Sequence, residues 1–170
     1  MTKGLETYLG KNPFWVKTLG ASCMIASKYF IIRANYYDQH VVDDIEEDVW
    51  YKVEEGSVQH TTGRLFEDWM SSPVLDMDMV KDTGCVMKLE NGTEVNVLLN
   101  PQTNENILVD KKLFKMVTDN TEFRYFAILP DKYPVFLLDN DYLIQAMVLP
   151  VRSDPALYKV VRQYDDSRLD

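Results

Sequence analysis

Apolar and polar residues alternate in short runs along most of the chain, and turn residues separate the runs. Alternation with a period of two predicts β-strands that bury one face. The strongest local signal is Asn91-Gly92, which lies between the alternating segments Cys85–Glu90 and Thr93–Leu99. Because an Asn-Gly pair accepts the positive φ angles of a tight turn, these segments predict a β-hairpin. The other predicted strands are Cys23–Ala26, Tyr29–Tyr37, Phe123–Leu129, Val135–Leu138 and Tyr142–Leu149.

Short helices are predicted between these strands, where apolar residues recur every three or four positions. Asn12 and Pro13 predict the start of one helix and Gly20 predicts its end, because Asn accepts the free N–H groups of a first turn and Pro fits its first position. Lys17 would lie on the polar side of this helix. The other predicted helices are an acidic one over Asp44–Glu55, a short one over Leu65–Met70, a third over Val109–Val117 and a last one that begins at Asp154 and Pro155.

These elements together predict an α+β fold that is rich in antiparallel strands and carries three to five short helices. A length of 170 residues suits one domain with its own hydrophobic core. We expect a single α+β domain over residues 1–152, followed by a C-terminal helix and tail over residues 153–170. A helix followed by a hairpin is predicted near both ends of the chain, and this order indicates a loose internal duplication.

The chain is acidic, with 18 Lys and Arg against 27 Asp and Glu and a net charge of −9. Such a charge repels nucleic acid and anionic membranes on average, so any DNA contact requires a local basic patch. Acidity also favours solubility, and an acidic surface can mimic DNA or meet a basic partner. Cys23 and Cys85 lie far apart in apolar runs and are predicted to be buried free thiols. Without a signal region or an apolar run of membrane-spanning length, the chain is expected to be cytoplasmic and free of membrane contacts.

Residues suited to catalysis are few. His40 and His60 are the two histidines, and neither lies in a nucleophile motif. Asp76, Asp78 and Asp82 are candidate ligands for a hard cation such as Mg²⁺, but their alternation with apolar residues is equally typical of a half-exposed strand. We therefore expect no catalytic residue, no metal site and no cofactor, and interpret the chain as a non-enzymatic binding protein.

One cationic face is predicted in this acidic chain. The helix predicted over Val109–Val117 places Lys111, Lys112 and Lys115 together on its polar side. Such a helix is either an ordinary solvated surface helix or one that faces phosphate groups. Its apolar side consists of Val109, Leu113, Met116 and Val117.

The segment from Val109 to Arg152 resembles the closing segment of DNA-polymerase sliding clamps. It contains a predicted helix, a strand, an apolar run that Pro134 introduces, and a last strand that ends in Val148-Leu149-Pro150-Val151-Arg152. The last strand of sliding clamps ends in a similar Met-Pro-x-Arg sequence. Clamp domains also repeat a unit of one strand, one helix and three strands, and the segment from Thr93 onward follows that order.

The resemblance implies a reduced, clamp-like replication accessory protein, of the kind that a phage or a mobile element carries. Clamps turn basic side chains of their helices toward an encircled duplex, which here implies DNA contacts by Lys17, Lys111, Lys112 and Lys115. It also implies protein partners and a homo-oligomer, since the chain has length for little more than one clamp domain. Two other hypotheses stay open: an acidic inhibitor of the anti-defence type that mimics DNA and binds a nucleic-acid-binding protein, and a metal-dependent phosphoryl-transfer enzyme that uses Asp76 and Asp78.

Overall fold

The computed structural model describes residues 2–35, 45–71, 76–129, 134–151 and 161–164, and within these ranges it contains three α-helices and twelve β-strands. The predicted α+β class with antiparallel strands is confirmed, whereas the domain boundary at residue 152 stays a prediction. The helices are α1 (Lys3–Lys11), α2 (Arg64–Met70) and α3 (Lys111–Asp119). The strands are β1 (Phe14–Leu19), β2 (Ser22–Ala26), β3 (Phe30–Asn35), β4 (Trp50–Glu54), β5 (Ser57–Thr61), β6 (Asp78–Lys88), β7 (Glu94–Asn100), β8 (Glu105–Asp110), β9 (Tyr125–Ile128), β10 (Val135–Leu138), β11 (Ile144–Val148) and β12 (Val161–Tyr164).

The described strands join in one hydrogen-bonded sheet, in the order β5-β4-β1-β2-β3-β11-β10-β9-β6-β7-β8, with β12 paired to β6. Every pair is antiparallel. Strand β10 lies near the middle of this order, and all four of its residues are buried. A strand that is covered on both faces needs no polar side, which explains its uninterrupted apolar run.

Side chains alternate between the two faces of the sheet and build two hydrophobic cores. On β2, Cys23 and Ile25 belong to the first core, and Met24 and Ala26 belong to the second. Apolar residues of α1 and α3 close the first core, and Met70 of α2 closes the second. The helices α1 and α3 therefore lie together on one side of the sheet, and α2 lies on the other.

Two halves of the chain repeat one arrangement. Helix α1 is followed by the antiparallel strands β1, β2 and β3, and helix α3 is followed by β9, β10 and β11. The halves meet where β3 pairs with β11. Outward from this pair, the strand order is β3-β2-β1-β4 on one side and β11-β10-β9-β6 on the other. This order is consistent with the duplication that the sequence indicates.

The two nine-residue helices also have matching ends. The side chains of the N-caps Thr2 and Asp110 accept N–H groups of the first turn. The C-caps Asn12 and Asn120 donate their side-chain amides to the carbonyl four residues earlier, at 2.9 and 2.7 Å. Asn120 also accepts the Thr2 N–H at 3.0 Å and donates to the Thr2 hydroxyl at 2.9 Å. The start of α1 is thereby joined to the end of α3.

The predicted strands that fall on described residues are confirmed, as is the helix over Leu65–Met70, with differences of one or two residues at most ends. The exception is β6, which begins at Asp78 rather than at the predicted Cys85. The strand predicted over Tyr29–Tyr37 corresponds to β3, and residues 36 and 37 lie outside the described ranges. The alternation of apolar residues and the turn residues between the runs were sufficient to predict these elements.

Strands β6 and β7 form the hairpin that Asn91 and Gly92 predict. The loop is longer than a two-residue turn: the Gly92 N–H donates to the Leu89 carbonyl at 2.9 Å, and the Leu89 N–H donates to the Thr93 carbonyl at 2.8 Å. Of this loop, only Gly92 has a positive φ, of 88°. The hairpin therefore has a three-residue loop that ends in a left-handed glycine.

The helix predicted from Asn12 to Gly20 is wrong, because Asn12 ends α1 and the following residues form β1. The Asn and Pro signals are those of a helix start, but here the Asn12 side chain donates back to α1. In β1 the buried residues are Phe14, Val16 and Thr18, which is the period of a strand. Pairing with β2 and β4 satisfies the backbone of this segment.

The acidic helix predicted over Asp44–Glu55 is also wrong. Residue 44 lies outside the described ranges, residues 45–49 contain no helix, and residues 50–54 form β4. Glu55 and Gly56 then turn the chain into β5 with positive φ angles of 49° and 77°. Apolar residues at every fourth position fit a strand as well as a helix, and the pairing of β4 with β1 and β5 decides for the strand.

Two further helix predictions change. The third predicted helix begins at Lys111 rather than at Val109, because Val109 lies in β8 and Asp110 both ends that strand and caps α3. The last predicted helix is wrong at Val161–Tyr164, which form β12 and pair with β6. Its first part, from Asp154 onward, lies outside the described residues.

Candidate functional site

The solvent-exposed sides of α1 and α3 form one surface, which we call the helical face. The two helices contain five lysines and two carboxylates, Glu6 and Asp119, which gives a net charge of +3. The whole chain carries −9, so positive charge is concentrated in this layer. The five lysines, all exposed, are Lys3, Lys11, Lys111, Lys112 and Lys115.

The first turn of α3 carries two lysines, although the N-terminus of a helix attracts anions rather than cations. The Asp110 carboxylate accepts the N–H groups of Lys112 and Leu113 at 2.9 and 3.1 Å. Lys111 Nζ lies 3.1 Å from Glu94 Oε2 on β7. Lys112 forms no ion pair with another described residue. An ion pair within the described residues therefore does not account for the lysine at position 112.

Lys115, one turn further along α3, is available to an external anion. Its Nζ lies 2.8 Å from Asp119 Oδ2 in an exposed pair. Exposed pairs of this spacing contribute about 0.3–0.5 kcal/mol to stability. Lys115 can therefore leave the Asp119 carboxylate and pair with a phosphate or a carboxylate of a partner at little cost in free energy.

Lys17 is not part of the helical face. It lies in β1, where its Nζ is 2.9 Å from Asp48 Oδ1 and also contacts Glu67 of α2. Burial lowers the pKa of Lys17, but the hydrogen bonds and charges of Glu67 and Asp48 outweigh burial and raise the pKa above its usual value. Because its neighbour Val16 belongs to the first core, Lys17 lies on the α2 side of the sheet. The structure thus brings Lys111, Lys112 and Lys115 together and places Lys17 elsewhere.

Sequence reasoning missed α1 and with it Lys3 and Lys11. A signal for this helix is present, because Thr2 is a suitable N-cap and is followed by the apolar residues Leu5 and Leu9, four apart. Two glycines within the segment conceal the signal, since glycine disfavours a helix by about 1 kcal/mol relative to alanine.

A groove runs between α1 and α3 and continues to the residues that follow β11; we call it the α1–α3 groove. Its volume is about 1050 Å³. Three of the exposed lysines, Lys11, Lys112 and Lys115, line it and form its rim. The floor consists mainly of partly buried apolar residues: Tyr8, Leu113, Met116, Leu149 and Pro150.

The aspartates that the sequence suggests as metal ligands have other contacts. Asp78 Oδ2 lies 3.3 Å from Asn100 Nδ2, and Asp82 Oδ1 accepts the Gly84 N–H at 2.9 Å. Asp76 is exposed. Over the described ranges, no group of three or more His, Cys, Asp or Glu side chains is placed to hold a metal ion.

No helix in the described part of the chain is long and apolar enough to cross a membrane. The chain matches no protein-family model, no curated protein and no solved structure. The sliding-clamp relationship therefore stays a resemblance of residues 109–152, and a function has to be argued from the helical face itself.

Proposed function

We propose that the protein is a non-enzymatic binding protein that contacts duplex DNA through the helical face, as a clamp-like accessory factor in replication. The observation that carries the proposal is the separation of charge. Helices α1 and α3 carry +3 in a chain of −9. Their lysines are exposed and lie on one side of the sheet.

Lysines on a helical surface suit binding that does not depend on DNA sequence. An ammonium group on a flexible stem contacts phosphate oxygens and releases condensed counterions. The acidic remainder of the chain is repelled by DNA, so the helical face turns toward the duplex. Phosphate contacts position a protein without specifying a base sequence, which is what a factor that moves along DNA needs.

The order of elements supports the comparison with clamps. The strand before α3 is β8, which the sequence did not predict, rather than the strand predicted over Thr93–Leu99. Together with β8, helix α3 and strands β9, β10 and β11 follow the order of one strand, one helix and three strands that the resemblance implies. The first half of the chain repeats the helix and its three strands, and both helices lie on one side of the sheet. Lys17 is left out of the proposed contact, because Asp48 and Glu67 hold it on the α2 side.

Fluorescence anisotropy with a labelled duplex across a salt series tests this proposal. Each phosphate contact contributes about 0.9 to the slope of log K against log salt concentration. Removing three lysine charges from the helical face should therefore reduce the slope by roughly 3 per bound chain and weaken binding, while a control that removes three charges elsewhere leaves the slope unchanged. The test variant is Lys11→Gln/Lys112→Gln/Lys115→Gln. The control is Arg33→Gln/Lys52→Gln/Lys81→Gln. The strand neighbours Ile32, Val53 and Val80 of these three residues belong to the first core or pack against it, so the control charges lie on the α2 side of the sheet.

Two results would contradict the proposal: no detectable binding of the wild-type protein at low salt, or equal losses in the two variants. The lysines would then be ordinary solvated residues. The acidic-inhibitor hypothesis would become the preferred one, since it requires no contact with DNA.

Encirclement of DNA makes a separate demand, because it needs a closed ring of several copies. Strands β5 and β8 end the strand order of the described sheet, and the residues of β5 are largely exposed. Open strand edges are templates for pairing with another chain. Sedimentation equilibrium should show one oligomer of defined mass, as a closed ring requires. If the protein is a monomer at every concentration, it does not encircle DNA. Contact with DNA through the helical face would then still be tested by the anisotropy experiment.

A further inference from the structure

The floor of the α1–α3 groove is apolar, which a duplex does not require. Phosphate groups contact cations and N–H groups and gain nothing from Tyr8, Leu113 or Met116. These three side chains are partly buried and pack against the first core, while they also line the groove. An apolar surface that the core holds in place suits the apolar side chains of a ligand.

The dimensions of the groove favour a polymer over a small molecule. Its volume of about 1050 Å³ lies at the upper end of the roughly 300–1,000 Å³ of small-ligand pockets, and its length decides between the two. It follows both nine-residue helices along their length, from Thr2 to Asn12 at α1 and from Asp110 to Asp119 at α3. Apolar grooves of this form bind amphipathic helices, whose apolar residues recur at spacings of three and four.

The charges that line the groove favour an acidic ligand. Lys11, Lys112 and Lys115 line it, and both carboxylates that line it are engaged. Asp110 accepts two N–H groups of α3, and Asp119 pairs with Lys115. Lys11 and Lys112 form no ion pair within the described ranges. Carboxylates of a ligand therefore find positive partners at the rim.

A single-stranded nucleic acid matches the groove less well. Its bases bind by stacking on aromatic side chains, and only Tyr8 and Tyr29 among the lining residues are aromatic. The remaining apolar lining is made of aliphatic side chains and Met116, which suit leucine-like side chains. An acidic peptide uses both the floor and the rim.

We propose that the α1–α3 groove binds an acidic amphipathic helix of a partner protein. Its apolar side chains fill the floor, and its carboxylates contact Lys11, Lys112 and Lys115. This site does not depend on duplex binding. Lys11, Lys112 and Lys115 belong to both proposed contacts, so an acidic helix and a duplex exclude each other at this surface.

A peptide of defined pattern tests the proposal by fluorescence anisotropy. The probe is a fluorescein-labelled, helix-forming peptide with leucines at spacings of three and four on one face and glutamates on the other. One control peptide has the same composition with its leucines dispersed, and a second has lysine in place of glutamate. Labelled oligo-dT is the nucleic-acid probe. Of the three peptides, we expect only the acidic amphipathic one to bind. Any binding of oligo-dT should come from phosphate contacts with the lysines and should not depend on the floor.

Variants of the floor distinguish the contribution of its apolar side chains to binding from that of the lysines. Leu113→Ser/Met116→Ser removes two apolar side chains of the floor and keeps every lysine. Because two apolar contacts are lost, affinity for the acidic peptide should fall at least about tenfold, with duplex affinity unchanged. The matched control, Leu65→Ser/Leu143→Ser, replaces two exposed leucines of α2 and of the turn before β11 and should bind both ligands as the wild type does.

The methyl signals of methionine give a readout that needs no variant. In protein labelled at the methionine methyl groups, the peptide should shift the NMR signal of Met116 and leave that of Met79, which is exposed on β6. The proposal is overturned by a failure of the acidic peptide to bind, by equal affinity for either control peptide, by floor-dependent binding of oligo-dT instead, or by a shift at Met79 without one at Met116. If the protein binds the duplex but not the acidic peptide, only this proposal is wrong. If it binds the acidic peptide but not the duplex, only the proposed function is wrong.

Discussion

Replacing glycine by alanine at positions 92, 10 and 63 should change stability in three different ways. Gly92 has a φ of 88°, and nothing lies within 4 Å of an added Cβ. Gly10 lies in α1 with an ordinary φ and equally open surroundings. Gly63 precedes α2, and an added Cβ would lie 2.2 Å from Nε1 of the buried Trp50 side chain. The same substitution is therefore made at three positions that differ in backbone conformation and in the space around the added Cβ.

The magnitudes follow from these differences. Gly92→Ala should lower the free energy of unfolding by about 1 kcal/mol, because only the left-handed conformation is penalised. Gly10→Ala should raise it by up to about 1 kcal/mol, the difference in helix propensity. Gly63→Ala should lower it by about 2–3 kcal/mol, because the Trp50 indole has to move and weakens the hydrogen bond that it donates to Glu67.

Urea denaturation of the wild type and the three variants measures these changes, with equal m-values as the check that the unfolding reaction is the same. Each kcal/mol should appear as a shift of about 2–4 °C in Tm for a chain of this size. If Gly92→Ala leaves stability unchanged, the hairpin loop does not have the left-handed glycine. If Gly10→Ala destabilises the protein as much as Gly92→Ala does, the conformational argument is wrong at both positions.

Two further predictions concern ionisable groups. Lys17→Met should destabilise the protein by roughly 1–3 kcal/mol near neutral pH, since Asp48 and Glu67 lose their counter-charge. Because the pKa of Lys17 is raised from 10.5, its contribution is fully present below the unfolded pKa and is lost as pH rises through the folded one. The stability gap between wild type and variant in urea titrations should therefore narrow only above about pH 10.5, and a gap that narrows near neutrality would contradict the assignment. Burial raises the pKa of the Cys23 thiol to about 11. A disulfide reagent at mildly alkaline pH should therefore modify Cys85 and leave Cys23 unmodified until the protein is unfolded. Rapid labelling of Cys23 in a Cys85→Ser variant would show that Cys23 is not buried.

The central strands were predictable because their signals are local. Val135–Leu138 is apolar at every position, as a strand covered on both faces requires. In the turn before β11, the Asp139 carboxylate accepts the N–H groups of Asp141 and Leu143 at 2.9 and 3.0 Å. These contacts span a few residues, so the residue types alone indicate the turn.

Two of the three incorrect helix predictions arose where the apolar spacing suits both a helix and a strand. Trp15 and Leu19 are four residues apart, which places them on one side of a helix and also on one face of a strand. Residues 45, 49 and 53 have the same spacing. Strand pairing decides between the alternatives, and β1 pairs with β4 from more than thirty residues away in the chain, which no local pattern reveals.

About half of the candidate site could be predicted from the sequence. Lys111, Lys112 and Lys115 lie on one short helix, so their common face follows from helical periodicity. Lys11 joins them only because hydrogen bonds connect α1 to α3, between Thr2 and Asn120, which are 118 positions apart. The groove between the helices has the same origin and was therefore not predicted.

Lysine footprinting tests most directly whether the helical face contacts DNA. The protein is acetylated briefly with and without a saturating duplex, and modification at each lysine is measured by mass spectrometry. We expect DNA to protect Lys11, Lys112 and Lys115 and to leave Lys52 and Lys81, on the α2 side of the sheet, unchanged. Uniform modification at all five lysines, or protection at Lys52 and Lys81 in place of the helical lysines, would contradict the proposed contact.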